Sequence, residues 1–131
     1  MSMRQIKFRA KTINEGEWVY SMTISHGTVD RKRNCLFFEV QEDKWKGVIP
    51  ETLGQFTGLA DCNGKEIYEG DIVSVVSEGD RRKCEVAWSE GTVGFFLRHP
   101  AGVWYLSGAW GKEAAEVIGN IYDNPELIKR D

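Results

Sequence analysis

The sequence lacks the cysteine and histidine patterns of metal-bound or disulfide-linked proteins. Its three cysteines, Cys35, Cys62 and Cys84, are odd in number and widely spaced, and His26 and His99 lie far apart. A structural zinc site needs closely spaced ligands, so we expect three free thiols in a reducing compartment, with no disulfide and no metal. No apolar run is long enough to span a membrane, and the N-terminus has cations but no apolar signal core. We therefore expect a cytoplasmic protein without membrane contact.

Motifs that identify common enzymes are also missing. The sequence contains no Walker-type phosphate loop, no Gly-x-Ser-x-Gly and no His-Glu-x-x-His. It also has no surplus of cations, because 17 Lys and Arg stand against 20 Asp and Glu, for a net charge of −3. A protein that mainly grips the phosphate backbone usually carries a basic surplus. We expect no catalytic activity and no cofactor, and we do not favour nucleic acid as the main partner.

What the 131 residues do contain is typical of a mainly β protein built from short strands. Hydrophobic residues make up 41% and charged residues 28%, and 14 glycines accompany short β-branched and aromatic segments. Period-two alternation predicts strands, whereas Trp45 falls in a stretch that we interpret as a polar loop. The predicted strands include Ile6–Thr12, Glu17–Ser25, Asn34–Gln41, Lys65–Tyr68, Asp71–Val76, Cys84–Ser89, Gly94–His99 and Val103–Ser107.

Two turns lie close together in "DCNGKEIYEGDIV", residues 61–73. Asn63-Gly64 predicts a type I′ hairpin turn in which both residues adopt positive φ, and Asp61 is placed to accept hydrogen bonds from its backbone. Gly70 provides a second corner only a few residues later. A strand this short between two tight turns fits a strongly bent sheet of the kind found in small barrels.

Three blocks of sequence carry a resemblance to a known family. "IKFRA", "GQFTGLADCNGKEIYEGDIV" and "EVIGNIYDNPEL" follow one another along nearly the whole chain and resemble the YopX family of phage and prophage proteins. Lys11 stands where members of that family often have an aromatic residue. The resemblance implies a phage or prophage origin, an SH3-type barrel in the second half and self-association. It implies no activity and transfers no site residue. We predict an N-terminal β lobe over residues 1–50, an SH3-type small β-barrel over residues 51–131, either as two domains or as one compact unit, and a short C-terminal helical turn.

A cluster of acidic residues surrounds the short strand. Glu66, Tyr68, Glu69 and Asp71 bring three carboxylates and a phenol within six positions. Paired carboxylates can perform acid–base chemistry or hold a hard cation. The same residues are also expected in polar turns, where Asp71 would bond to the backbone. We interpret them as turn residues. The second alternative function is an enzyme that uses the carboxylates of Glu66–Asp71.

Two basic runs precede strands that contain aromatic residues. Small barrels can bind nucleic acid through a basic groove with stacking aromatics. Exposed hairpin tips that keep sheet edges soluble would contain the same residues. The first alternative function is therefore a nucleic-acid-binding barrel, and its candidate contacts are Arg31, Lys32, Arg33, Arg81, Arg82 and Lys83.

Aromatic residues near glycine-rich loops are candidate anchors of a protein interface. Trp104, Tyr105 and Trp110 belong to residue types that are enriched at interface centres. The strands Ile6–Thr12 and Val103–Ser107 are candidates for an unpaired sheet edge. The leading hypothesis is a non-enzymatic phage or prophage accessory protein that acts as a protein-interaction module. Its partners would be a second copy of itself and an unidentified phage or host protein.

Overall fold

The computed structural model describes residues 5–29, 33–77, 79–91, 93–100, 102–105 and 115–128. The protein is mainly β, and the described strands lie in three antiparallel sheets without forming a closed barrel. The chain divides into two compact units, Met1–Phe56 and Thr57–Asp131. No helix in these ranges is long and apolar enough to cross a membrane.

The first unit contains a three-stranded sheet and a hairpin. Its strands are β1 (Phe8–Lys11), β2 (Trp18–Ser21), β3 (Ile24–Val29), β4 (Arg33–Gln41) and β5 (Lys44–Val48), and β6 (Gly54–Ala60) begins in this unit. The order β3-β4-β5 forms the sheet. Strand β1 pairs with β2 on one side and with the first residues of β6 on the other. Pro50–Thr52 form a single 3-10 turn before β6.

Trp45 lies in a strand, so its assignment to a polar loop is wrong. It belongs to β5 and pairs with Glu39 of β4. Strand β5 lies at the end of the three-stranded sheet, and its first three residues, Lys44 to Lys46, are all exposed. Lys44, Trp45 and Lys46 form too short an alternating run to predict a strand, and the exposed Trp45 does not mark a buried face.

The core of the first unit is small and centred on one aromatic side chain. Ala10, Phe38 and Val48 are completely buried. Because residues two apart on a strand share a face, Leu36 and Val40 pack on the same side of β4 as Phe38. The other hydrophobic side chains packed against this core are Phe8, Val19, Ile24 and Leu53.

The second unit is built on a five-stranded antiparallel sheet. Its strands are β7 (Glu66–Tyr68), β8 (Asp71–Ser77), β9 (Asp80–Ser89), β10 (Gly94–His99), β11 (Gly102–Tyr105) and β12 (Ala115–Asn120). The sheet has the order β11-β10-β9-β8-β12, and β7 lies beside β6. Consecutive strands β8 to β11 therefore form a meander, and β12 returns to pair with β8. Pro125–Leu127 form one 3-10 turn after the sheet.

One face of this sheet forms an aliphatic core. Val73 on β8 pairs with Cys84 on β9, and Val86 pairs with Leu97 on β10, so all four side chains point to one side. They are completely buried together with Ile67, Val75 and Ala115. Burial raises the pKa of the Cys84 thiol to about 11, against a smaller opposite effect of the Arg82 charge. Cys84 is therefore a core residue, and its thiolate is strongly disfavoured at neutral pH.

The first predicted corner is organised by the Asp61 carboxylate. Its Oδ1 accepts hydrogen bonds from the backbone N–H of Asn63 and Lys65, both at 2.9 Å, as expected. Its Oδ2 accepts a bond from the N–H of Val117 at 2.8 Å, which ties the turn to β12. The predicted type I′ turn is wrong, because Gly64 has positive φ (82°) and Asn63 does not. The bonds from Gly64 N to Asp61 O and from Asp61 N to Lys65 O are those of a three-residue hairpin loop.

The three donors also determine the charge state of Asp61. Burial on its own would raise the pKa of this carboxyl group. The N–H groups of Val117, Lys65 and Asn63 stabilise the carboxylate more strongly, so the pKa lies below its ordinary value of 3.8. Asp61 therefore stays ionised while it is buried, and its charge holds the corner together.

The second predicted corner is confirmed at Gly70, where φ is 93°. The N–H of Gly70 donates to Val86 O, and its carbonyl accepts from Ile121 N. A Cβ at this position would lie 3.1 Å from the ring of Tyr122. Gly70 is thus required both by the backbone conformation and by close packing.

Candidate binding groove

The strand β11 forms an edge of the five-stranded sheet in the part of the chain that the structure describes. This agrees with the prediction that Val103–Ser107 contains an edge, whereas the same prediction for Ile6–Thr12 is wrong because β1 has a strand on each side. Val103 is 67% exposed on this edge. The side chains of Trp104 and Tyr105, and the whole of Trp110, lie outside the described residues. The predicted interface anchors therefore stay predictions.

A groove of about 380 Å³ lies beside this edge. It is formed by β9, β10, β11, the loop between β10 and β11, and the C-terminal turn. Its lining residues are Lys83, Glu85, Arg98, His99, Pro100, Gly102, Val103 and Ile128.

An ion pair lies within the groove. Arg98 on β10 pairs directly with Glu85 on β9, and its Nη2 lies 3.0 Å from Glu85 Oε2. The Arg98 side chain is 57% exposed and its guanidinium carbon lies 5.8 Å from the centre of the Phe96 ring. An exposed pair of this kind contributes only about 0–1 kcal/mol to folding. The pair therefore keeps Arg98 in position above the groove more than it stabilises the sheet.

Lys83 adds a second cation on the same face of the sheet. It lies two residues before Glu85 on β9, and residues two apart on a strand share a face. Its exposed side chain makes no hydrogen bond or ion pair with another residue of the described ranges. Because Glu85 is already engaged by Arg98, the groove carries a local positive surplus.

The residues of the two basic runs have different positions. Arg81 is exposed and its Nη1 donates to Ser74 Oγ at 2.9 Å. Arg82 points to the opposite face, as its pairing with buried Val75 shows. Lys83 lines the groove. Of the first run, Arg31 and Lys32 lie outside the described residues, and only the backbone of Arg33 is described, at the start of β4.

The acidic cluster is occupied by hydrogen bonds within its own corner. Asp71 Oδ2 accepts a bond from the N–H of Tyr68 at 2.7 Å, which confirms its predicted backbone role. The Tyr68 hydroxyl donates to Glu66 Oε1 at 3.2 Å, and Glu69 lies in the turn itself. Within the described ranges, no group of three or more His, Cys, Asp or Glu residues could hold a metal ion.

The central residues of the groove, Arg98, Glu85 and Val103, were not singled out in the sequence. Arg98 and Glu85 are separated by a hairpin, and their contact depends on the register in which β10 pairs with β9. The sequence feature that could have indicated them is the alternation of apolar and polar residues along β9 and β10. In "GFFLRH", Arg98 falls on the face opposite to buried Leu97, as Glu85 does next to buried Cys84 and Val86.

Comparisons with known proteins place the chain among YopX proteins. A family model described as YopX protein matches residues 7–129. The crystal structure of protein EF1440 from Enterococcus faecalis is similar, with 27% sequence identity and a TM-score of 0.58 over 97% of this chain and 100% of that chain. No curated protein matches the sequence.

Proposed function

Since the chain belongs to the YopX family, we propose that it is a phage or prophage accessory protein, a non-enzymatic module that binds other proteins and a second copy of itself. The observation that carries this proposal is the edge strand β11 with exposed Val103 beside a groove. A non-enzymatic role is further supported by the acidic corner, because Asp71 and Glu66 bond within it. We further propose that the protein acts in the cytoplasm of a bacterial host, where a prophage is expressed.

Self-association through β11 follows from the chemistry of a sheet edge. An edge strand presents backbone N–H and C=O groups that a further strand can pair. In a two-fold symmetric dimer, the β11 strands of two copies would lie antiparallel and complete each other's edges. Trp104 and Tyr105 belong to this strand, and Trp110 follows it in sequence. These three aromatics are the proposed anchors of the contact.

We also propose an SH3-type fold for the second unit. Strands β8 to β11 form a meander, and the last strand, β12, returns to pair with the first. A returning strand of this kind is how a small barrel covers its first edge. The short strand β7 between two tight corners supplies the bend that such a barrel needs.

Substitution of the edge residue tests the proposal. Val103→Lys places a charge on an exposed edge, as natural proteins do to prevent edge pairing. Val76→Lys is the matched control, because Val76 is 41% exposed on β8, which has β9 and β12 on its two sides. We expect light scattering coupled to size exclusion, at micromolar protein, to give an oligomer for wild type and Val76→Lys and a monomer for Val103→Lys.

Two outcomes would contradict the self-association. The wild type could run as a monomer across a tenfold dilution, or Val103→Lys could remain oligomeric. An oligomer that Trp104→Ala does not weaken would retain the edge contact but reject Trp104 as its anchor.

A further inference from the structure

We infer that the groove beside β11 binds an acidic peptide segment of a partner protein, with a carboxylate of the peptide held by Arg98 and Lys83. This inference rests on the proposed role as a protein-interaction module and names the chemistry of its partner. The groove lies on a face of the sheet, whereas self-association uses the edge of β11. Val103 belongs to both surfaces, but the charged side chains Arg98 and Lys83 lie only in the groove, and substitutions of these two residues therefore test peptide binding alone.

The electrostatics of the groove favour an anionic ligand. A guanidinium group has five N–H donors, and the bond with Glu85 uses a donor on Nη2. The 57% exposure of Arg98 leaves the remaining donors accessible from the groove. Lys83 is exposed on the same face. A carboxylate can accept from both cations, and charge-assisted bonds of this kind are stronger than neutral ones.

The apolar part of the lining favours a peptide over a small inorganic anion. Val103 is 67% exposed, and Pro100 and Ile128 contribute further carbon surface. Phosphate would leave this surface uncovered. A peptide that presents acidic and apolar side chains on the same face would bury it while its carboxylates contact the cations. The volume of about 380 Å³ is large enough for a few side chains.

The same surroundings do not favour a nucleic acid. The second unit contains eight Lys and Arg against thirteen Asp and Glu, so it repels a long polyanion. Single-stranded nucleic acids also bind through aromatic stacking. Among the described side chains, the lining includes no Phe, Tyr or Trp, and the nearby Phe96 ring is approached by the Arg98 guanidinium.

Substitutions of Glu85 and Arg98 should change peptide affinity in opposite directions, and this difference tests the inference. Glu85 neutralises part of the positive charge that a peptide carboxylate would meet, and it is only 18% exposed beneath Arg98. Removing the charge of Arg98 should weaken peptide binding, whereas removing the charge of Glu85 should strengthen it. If the ion pair had a purely structural role, both substitutions would weaken peptide binding.

The experiment measures fluorescence anisotropy at low ionic strength with a labelled peptide of Glu-Glu-Leu-Leu repeats, because this order places Glu and Leu on each face of an extended chain. A peptide of Gln-Gln-Leu-Leu repeats is the control for apolar contacts. We expect Kd to rise about tenfold or more for Arg98→Gln and about threefold for Lys83→Gln, and to fall about threefold for Glu85→Gln. Far-UV circular dichroism and a thermal melt establish that each variant is folded.

Three results would overturn the inference. The Glu-Leu peptide could bind no better than the Gln-Leu peptide, or Glu85→Gln could weaken binding as Arg98→Gln does. A single-stranded oligonucleotide or inorganic phosphate that binds more tightly than the peptide and depends on Arg98 would assign the groove to a phosphate ligand instead. Light scattering on Arg98→Gln and Lys83→Gln keeps this test apart from self-association, because both variants should still assemble.

Discussion

The two units bury different kinds of side chains. The first unit buries a small cluster centred on Phe38, with Phe56 at 9% exposure outside that cluster, and its buried polar residues are Arg9, Thr12 and Thr52. The second unit buries a row of aliphatic residues, and its buried polar residues are Asp61, Asp71 and Ser74. Stability in the first unit therefore depends on a single packing centre. In the second unit it is spread over a sheet whose corners are held by the carboxyl groups of Asp61 and Asp71.

The units also differ in how they use their cations. The first unit has nine Lys and Arg against seven Asp and Glu, and several of these cations lie over aromatic rings. Arg9 and Lys11 approach the Trp18 ring at 4.6 and 5.5 Å, and Lys7 approaches Phe56 at 5.0 Å. The second unit is acidic, yet Arg98 and Lys83 are exposed in its groove. A unit whose bulk charge repels a long polyanion can therefore still present a local pair of cations to a short anionic segment.

The largest expected effect separates the two cores. Phe38→Ala should cost about 3–5 kcal/mol in the free energy of unfolding, and Leu97→Ala about 2–5 kcal/mol. Urea unfolding can be monitored separately in the two units by labelling their thiols, because Cys35 lies in the first unit and Cys84 in the second. We expect Phe38→Ala to lower the urea concentration at which half of Cys35 is labelled more than that for Cys84. Leu97→Ala should have the opposite effect. Equal shifts of both thiols in both variants would contradict the comparison.

The next effect tests the buried carboxylate of the second unit. Asp61→Asn leaves a buried N–H donor without its acceptor and should cost about 1–3 kcal/mol. Because the folded-state pKa of Asp61 is lowered, its contribution is complete above the ordinary pKa of 3.8 and is lost as pH falls through the folded-state value. Thermal melts from neutral to acidic pH should therefore converge for wild type and Asp61→Asn. The exposed turn residue Asp43 provides the control, and an Asp43→Asn variant that loses as much stability would contradict this role.

The smallest effect compares a turn glycine from each unit. Gly16 in the first unit and Gly70 in the second both have positive φ, at 67° and 93°. An added Cβ meets nothing within 4 Å at Gly16, but it lies 3.1 Å from Tyr122 at Gly70. Gly16→Ala should cost about 1–2 kcal/mol through backbone strain, and Gly70→Ala should cost more. Gly91→Ala is the control in a turn without positive φ, and a thermal melt that ranks Gly16→Ala above Gly70→Ala would contradict the packing argument.

Local features of the second unit could be predicted from its sequence. The strands around Asp71–Ser77 and Gly94–His99 were predicted from alternation and β-branched composition. The corners were predicted from their glycines and from Asp61. These features depend on a few neighbouring residues, since side-chain alternation and φ preference act over that range.

The contacts between residues that are distant in sequence could be found only in the folded protein. The hydrogen bond from the N–H of Val117 to Asp61 joins positions 56 apart in the sequence. The groove exists because strand register places Arg98 opposite Glu85 and Val103 opposite Arg98. Strand order and register depend on packing across the whole sheet, and no short stretch of sequence contains that information.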